Sequence, residues 1–297
     1  MKILFITHTR IGDAVLSSGV LRHLVDNHPE AQFTIVCGPL AAPLFAAVPR
    51  LDRIIVMTKR PFDSHWFKLW NDVRRQRWDL VVDLRRSLVS YFIPTRARRI
   101  LGPADDSVHR VQYLSSVLGL PAPAPPHLYT TPAHHAAARV LIPDGAPVLA
   151  ISPVAATEAK TWPAARFAAL IAAVTAPGAV CAGWRVALFG SPADEAAVAP
   201  LITEVSQASK PLLVFNEPNL LTVHAALGRC GRFIGNDSGL AHLAAAAGVP
   251  TLSLFGPTDP VRYAAWGGQA VQAADGVIAH LDVATVLGHL APETSVL

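Results

Sequence analysis

Charge is scarce in this 297-residue chain: 15% of its residues are Asp, Glu, Lys or Arg, against roughly a quarter in ordinary globular proteins. The basic residues outnumber the acidic ones only 25 to 21, an excess too small to argue for a nucleic-acid partner. Cysteine is scarcer still. Cys37, Cys181 and Cys230 lie far apart, each in or beside an apolar segment and without metal-ligand or redox spacing, so free thiols in or near the core are expected. The alanine-rich apolar stretches are broken by glycine or proline before they reach bilayer length. The opening MKILFITHTRIGD has only a short apolar run and no small-residue cleavage site, which reads as a buried strand rather than a signal peptide and leads to an expectation of cytoplasmic residence. On that expectation the sequon at Asn236 meets no glycan. Neither GxGxxG after the first strand nor GxxxxGK[ST] is present, which disfavours a nicotinamide dehydrogenase and a nucleoside triphosphatase. No Cys/His cluster suggests zinc, and the expectation for a metal is none.

What is present is apolar and periodic. Hydrophobic residues make up 52% of the chain, enough for one large core or two of ordinary size. Short apolar strands (KILFIT, QFTIVC, RIIVM, WDLVVDL) alternate with helical stretches over AVLSSGVLRHLVDNH, LAAPLFAAV and FKLWNDVRRQR. Strand followed by helix, repeated, predicts a largely parallel sheet covered on both faces. Seven prolines between Pro121 and Pro147 then interrupt regular structure, although AHHAAARVL is able to hold one helix between them. The alternation resumes with PVLAIS, WRVALFG, PLLVF, RFIGN and PTLSLFG, each followed by a helical or turn segment, and IAHLDVATVLGHL closes the pattern as one expected helix. The predicted architecture is two α/β domains, 1–135 with a linker to about 147, and 148–297, with ligand-capable loops facing a cleft. The arginines are concentrated in the first half (Arg74, Arg75, Arg77, Arg85, Arg86, Arg96, Arg98, Arg99, Arg110), which points to an anionic partner there. Together with Trp66, Phe67 and Trp70 they form either a surface that touches lipid or ordinary helix-surface charge and core aromatics.

Polar turns at strand ends carry the candidate chemistry. After KILFIT, Gly12 offers backbone freedom and Asp13 sits where an N-cap belongs; it is either that cap or a general base for an acceptor hydroxyl. Arg10 is either an exposed charge or a holder of a phosphate or carboxylate. In TEAKTWP, Thr157, Lys160 and Thr161 precede a helix with Pro163 at its start, and Lys160 is either a diphosphate ligand or a surface lysine. After RVALFG, Gly190 would let backbone approach a ligand, and Asp194 or Glu195 either takes ribose hydroxyls or serves as a first-turn acid. The sharpest stretch is GNDSGLAHLAAAAGVPTLSLFGPTDP. There Asp237, Ser238 and Gly239 form a turn, and His242 follows Ser238 by one helical turn. Caps and a half-buried histidine are the plain alternative, yet so many polar residues ending two adjacent strands favour a ligand site.

RIGDAVLSS, WDLVVDLRRS, VHRVQYLSSVLGL, KTWP and NDSGLAHLAAAAGVPTLSLFGPTDP, in this order, resemble the glycosyltransferase family 9 heptosyltransferases, which build the inner core of bacterial lipopolysaccharide. The likeness runs from Met1 to about Pro260. It implies a GT-B architecture of two Rossmann-like domains facing across a cleft, with ADP-heptose in the C-terminal one and an anionic lipid-linked glycan acceptor on the N-terminal one. By motif position Asp13 resembles the catalytic base and Lys160 the diphosphate lysine. Asp237, Ser238, Gly239 and His242 fall on the nucleotide-sugar signature, with Thr157 and Thr161 nearby, and Glu195 resembles the acid that takes the adenosine ribose. Ser238 stands where relatives commonly have threonine, which keeps the hydroxyl. The implied reaction is inverting transfer of heptose to an inner-core sugar, without metal or cofactor beyond the donor substrate. Arg10, Arg85, Arg86 and Arg110 would meet the acceptor's anionic groups. A different nucleotide sugar, or another glycan or protein acceptor, is the alternative. A monomer is expected, without nucleic acid, in the cytoplasm and in peripheral contact with the cytoplasmic face of the inner membrane.

Overall fold

The computed structural model describes residues 1–59 and 61–290. The chain divides into two compact units, Met1–Thr131 and Pro132–Leu297. The first contains β1 (Lys2–Ile6), α1 (Ile11–Asn27), β2 (Gln32–Cys37), β3 (Leu51–Val56), α2 (Ser64–Val73), β4 (Trp78–Asp83), β5 (Thr95–Ile100) and α3 (Arg110–Ser115). Its strands pair in parallel in the order β3-β2-β1-β4-β5. The chain leaves β1 in one direction and returns to β4 on its other side. A crevice therefore opens between the two at their carboxyl ends, where open α/β sheets place ligands.

Burial follows from that order. Ile3 to Ile6 of β1 are fully buried, as a central parallel strand covered on both faces requires. One face carries Leu4, Ile6 and Val81 against Leu69 and Val73 of α2. On α1, residues Ala14–Leu21 are all buried. A Cβ at Gly19 would lie 2.1 Å from the Ala124 carbonyl oxygen, so only glycine lets the proline-rich segment pass this close. That segment is strapped down rather than free: Ala124 N donates to Ser115 Oγ (2.9 Å) and His127 N to Ser18 Oγ (2.8 Å). Three expectations differ in detail. LAAPLFAAV holds only a 3-10 turn, Ala42–Phe45, with Pro43 at its start. TRARRI, read only as a run of arginines, is the edge strand β5, whose charged, exposed side chains are the usual protection of an open edge. The unit boundary falls at 131/132, so residues 132–135 lie with the second unit.

The second unit runs α4 (Pro132–Leu141), β6 (Val148–Ser152), α5 (Ala164–Thr175), β7 (Arg185–Phe189), α6 (Glu195–Ala208), β8 (Leu212–Val214), α7 (Leu220–Leu227), β9 (Arg232–Asn236), α8 (Gly239–Ala246), β10 (Thr251–Phe255), α9 (Pro260–Tyr263), β11 (Gln269–Gln272) and α10 (Val283–Gly288). Its strands form one parallel sheet, ordered β11-β10-β9-β6-β7-β8. Here the direction reverses between β6 and β9. Leu149, Ile151, Ile234, Leu252 and Leu254 share a core with Phe167 and Leu170 of α5 and Leu201 of α6. The expected closing helix is broken in two, a 3-10 turn at Ile278–His280 and then α10, because Asp282 caps α10 through Thr285 N. Cys37, Cys181 and Cys230 are buried free thiols, and burial pushes Cys37 and Cys230 up to about 12. Among the described residues, no helix is long and apolar enough to cross a membrane.

Candidate active site

In the first unit the candidates gather at the carboxyl ends of β1, β4 and β5. The helix after β1 begins at Ile11, and its N-cap is Arg10, which makes no side-chain cap bond. Asp13 is thus the third helical residue, not the cap, and Gly12 does not use a positive φ. The amides of a first helical turn still favour a carboxylate there. Its side chain is partly exposed, and Oδ1 lies 3.8 Å from Arg110 Nε. The opposite end of that guanidinium is held: Arg110 Nη2 donates to His8 Nε2 at 2.9 Å, and the group lies 5.1 Å over the Tyr113 ring. Burial, more than the surrounding charges, lowers the His8 pKa to about 4. A neutral imidazole is what an accepting Nε2 needs.

The loop after β4 is organised by Asp83, whose side chain is fully buried. Asp83 Oδ1 accepts from Arg85 N (2.8 Å), and Oδ2 accepts from Ser87 N (2.8 Å), Ser87 Oγ (2.6 Å) and Ser90 Oγ (2.6 Å). This knot puts Arg86 at φ 55° with its side chain exposed. Arg85 lies 4.8 Å over the Trp66 ring, and burial lowers its pKa. The structure thus brings Asp13 and Arg110 together, with Arg85 close enough to act on the charge state of His8. Arg10 is exposed at the start of α1. His8 and Asp83 were missed as candidates. Each ends its strand or stands just beyond it, a position that would have found them, but neither residue type signals at a distance.

In the second unit two loops meet. Lys160 ends a 3-10 turn, Glu158–Lys160, and its Nζ is 2.6 Å from Asp237 Oδ2. Trp162 N donates to Asn236 Oδ1 at 3.0 Å, so the loop after β6 is pinned to the end of β9 by a backbone-to-side-chain bond and to the turn beyond it by the ion pair. Ser238 is the N-cap of α8 by conformation (φ −151°, ψ 169°) yet makes no side-chain cap bond. Its Oγ is buried and without a hydrogen-bond partner. Gly239 is the first residue of α8, and His242, 7% exposed, sits one turn beyond Ser238. A lysine ammonium has three donors. With one given to Asp237, Lys160 keeps two beside a helix start whose amides carry partial positive charge.

Other candidates are placed differently. Thr157 is exposed, and its carbonyl takes the Thr161 hydroxyl at 3.0 Å. Asp194 closes a capping box, accepting from Ser191 N (2.9 Å) and Ser191 Oγ (2.6 Å). Glu195 opens α6 with an exposed side chain. Gly190 answers to packing instead of a ligand, because a Cβ there would stand 2.4 Å from the Phe215 ring. A cavity of about 870 Å³ is lined by Val154, Glu158, Thr161, Asp194, Pro257 and Val277 among others. Neither Lys160 nor Asp237 lines it, so the polar constellation at α8, not this hollow, is the better candidate for phosphate chemistry. Among the described residues, no group of three or more His, Cys, Asp or Glu is placed to hold a metal ion.

The chain is 27% identical to the lipooligosaccharide heptosyltransferase 2 of Haemophilus influenzae over 304 residues, covering 88% of this chain and 84% of that one. Among solved structures, the Escherichia coli ADP-heptose lps heptosyltransferase II superposes with a TM-score of 0.76 at 23% identity, covering 98% of this chain and 97% of that one. A Veillonella parvula glycosyl transferase of family 9 superposes equally well, with a TM-score of 0.76 at 22% identity, over 92% and 85% of the two chains. These superpositions identify the two Rossmann-like units as a GT-B fold. The sequence profile of glycosyltransferase family 9 (heptosyltransferase) matches residues 102–280, which is more than half of the chain, and the protein belongs to that family.

Proposed function

We propose that this glycosyltransferase moves heptose from ADP-heptose to a sugar of an inner-core lipopolysaccharide acceptor, with inversion at the anomeric carbon. The second unit takes the donor and the first the acceptor. The observation that carries this reading is the start of α8. There Lys160 stands 2.6 Å from Asp237 beside a buried, unpartnered Ser238 hydroxyl. Such a group of donors suits a diphosphate, and an uncapped helix start adds to it. The names of the relatives support the sugar and the acceptor class.

In this mechanism Asp13 takes the proton from an acceptor hydroxyl. The freed oxygen pair forms the new bond to the anomeric carbon, and the bond to the diphosphate oxygen breaks with its electrons passing to ADP. Lys160 and the α8 amides meet the charge that grows on that leaving group. Protein charge performs this task without metal, so a chelator should leave the rate unchanged. His242, Thr157, Thr161 and Glu195 complete the donor contacts. Arg110, oriented by neutral His8, joins Arg10, Arg85 and Arg86 in holding the acceptor's anionic groups.

The test is Asp13→Asn. The variant is expected to bind ADP-heptose as the parent does while transfer falls by about 10²- to 10⁴-fold, the usual worth of a general base. Full transfer by Asp13→Asn overturns the assignment. Competition between ADP and UDP for the same site examines the donor, and equal affinity for UDP would point to a different nucleotide sugar.

A further inference from the structure

Two fully buried hydroxyls lie beside the Asp13 corner of the first unit. Thr7 stands just past β1, Ser17 sits on α1 one helical turn beyond Asp13, and both are 0% exposed. Packing alone does not ask for their oxygens. Valine suits a buried strand end and alanine a buried helix face, and either would avoid desolvating a polar group. The neighbouring Ser18 is accounted for, since its oxygen takes His127 N of the proline-rich segment. Thr7 and Ser17 are instead links in a chain. Ser17 Oγ donates to the Ala14 carbonyl at 2.8 Å, Thr7 Oγ1 lies 2.7 Å from Ser17 Oγ, and His8 Nδ1 lies 3.5 Å from Thr7 Oγ1. On the far side of the imidazole, Nε2 is 2.9 Å from Arg110 Nη2.

Each hydroxyl has one proton, and that fixes the direction of every bond in the chain. A carbonyl only accepts, so Ser17 gives its proton to Ala14. The 2.7 Å contact then needs Thr7 as the donor to Ser17. Thr7 is left with a lone pair toward His8, which calls for a proton on Nδ1. From the other end, a guanidinium has donors and no acceptor, so Nε2 must be the bare nitrogen. Both ends thus ask for the same neutral tautomer. The other tautomer would set N–H against N–H at Arg110 and lone pair against lone pair at Thr7. The guanidinium is planar and rigid, so its seat on His8 also decides where its remaining nitrogens stand, including Nε, 3.8 Å from Asp13 Oδ1.

We propose that Thr7 and Ser17 are positioning residues for the transfer reaction: their hydroxyls hold His8 as the Nδ1–H tautomer and thereby seat Arg110 against Asp13. The effect on rate rests on the reading of Asp13 as base and Arg110 as a holder of the acceptor; the tautomer does not. Nitrogen-15 spectra of the histidine rings in the full chain test it, with the His8 signals identified by their loss in His8→Asn. The parent is expected to show a protonated Nδ1 and a bare Nε2 near neutral pH. Thr7→Val removes the acceptor, so the Nε2–H form should appear and kcat/KM for the acceptor should fall about tenfold, the lower worth of a hydrogen bond to a charged group. Thr7→Ser should restore both. Ser17→Ala, which a helix accepts readily, frees the Thr7 proton to turn to Nδ1 and should move the tautomer the same way. Amide spectra that overlay the parent's away from this corner show that the variants are folded. A parent His8 with its proton on Nε2, a Thr7→Val protein that keeps the Nδ1–H form, or one that loses that form at full transfer rate overturns the proposal. So does a lost rate with the tautomer unmoved, which would mark Thr7 as packing alone. Full transfer by Asp13→Asn would remove the base, whereas the His8 tautomer is read without any transfer, so the two failures are distinct.

Discussion

Replacing Asp83 by asparagine separates a structural charge from a merely polar one. Arg85 N donates to Oδ1 and Ser87 N to Oδ2, so the two backbone donors use different oxygens. An asparagine has one oxygen and one NH2 group. Whichever way its amide is turned, one backbone N–H faces the NH2 and loses its acceptor. The serine hydroxyls do not rescue it: Ser87 Oγ and Ser90 Oγ can rotate to accept from an amide, but a backbone N–H cannot reverse its role. Leaving one buried donor unsatisfied costs about 1–3 kcal/mol, and the surviving bonds weaken because they lose a charged acceptor. Removing a buried charge returns part of this. The expected destabilisation of Asp83→Asn is therefore about 2–3 kcal/mol, read from urea unfolding. Amide exchange at Arg85 and Ser87 should accelerate, since those bonds hold the loop that carries Arg85 and Arg86. A variant within about 0.5 kcal/mol of the parent, the range of an ordinary surface change, with both amides still protected, would refute this account of the knot.

Three further outcomes follow from single contacts. Burial lowers the His8 pKa from 6.5 to about 4, so below pH 6.5 the unfolded chain takes up this proton before the folded one. Its stabilising contribution is whole above pH 6.5 and is lost as pH falls towards 4, on the order of 3 kcal/mol in all. His8→Asn should remove that part of the slope in stability measured between pH 7.5 and 4.5, and identical slopes would count against it. Gly190→Ala places a methyl 2.4 Å from the Phe215 ring and should cost about 1–3 kcal/mol by thermal unfolding, without a change in ADP affinity measured at a temperature where the variant is folded. Ser238→Ala should leave stability unchanged or slightly raised, because its hydroxyl is buried without a partner. ADP affinity should fall about three- to tenfold, the worth of one hydrogen bond; a loss of stability with intact binding would mark Ser238 as a cap after all.

Much of the fold was legible because parallel α/β sheets write themselves as apolar strands and alternating helices, and β1, β4, β6 and β9 all stand where the pattern put them. Of the four edge strands, β3 and β8 were legible as RIIVM and PLLVF, and β5 and β11 were not. β5 is half arginine and β11 is QAVQ; an edge strand needs little apolar content, so periodicity has nothing to detect. The candidate site was legible where residues cluster in one turn, as from Asp237 to His242. Links between distant turns, Lys160 to Asp237 and His8 to Arg110, arise only when the sheet order sets strand ends side by side. Gly190 shows the opposite failure. A glycine after a strand suggested a ligand, but the cause is the Phe215 ring, which belongs to another loop.

The distribution of helix caps in the second unit ties these observations together. Asn219, Asp259 and Asp282 cap α7, α9 and α10 with their side chains, and Ser191 with Asp194 closes the turn before α6. Side chains thus cap three α-helices and the 3-10 turn that leads into α6, while α6 itself starts at Asp194 without a side-chain cap bond. α5 and α8 are uncapped as well: Pro163 has no side-chain acceptor, and Ser238, an able capping residue, leaves its hydroxyl unused. Those two helices follow β6 and β9, the neighbouring strands between which the sheet reverses direction. An empty cap costs stability at any helix, so two of them beside one crevice are better explained by an outside acceptor than by chance. The Lys160–Asp237 pair bridges the same two loops. It holds a cation beside two helix starts that make no side-chain cap bond, and an anionic ligand placed there would take up amide donors that no side chain caps.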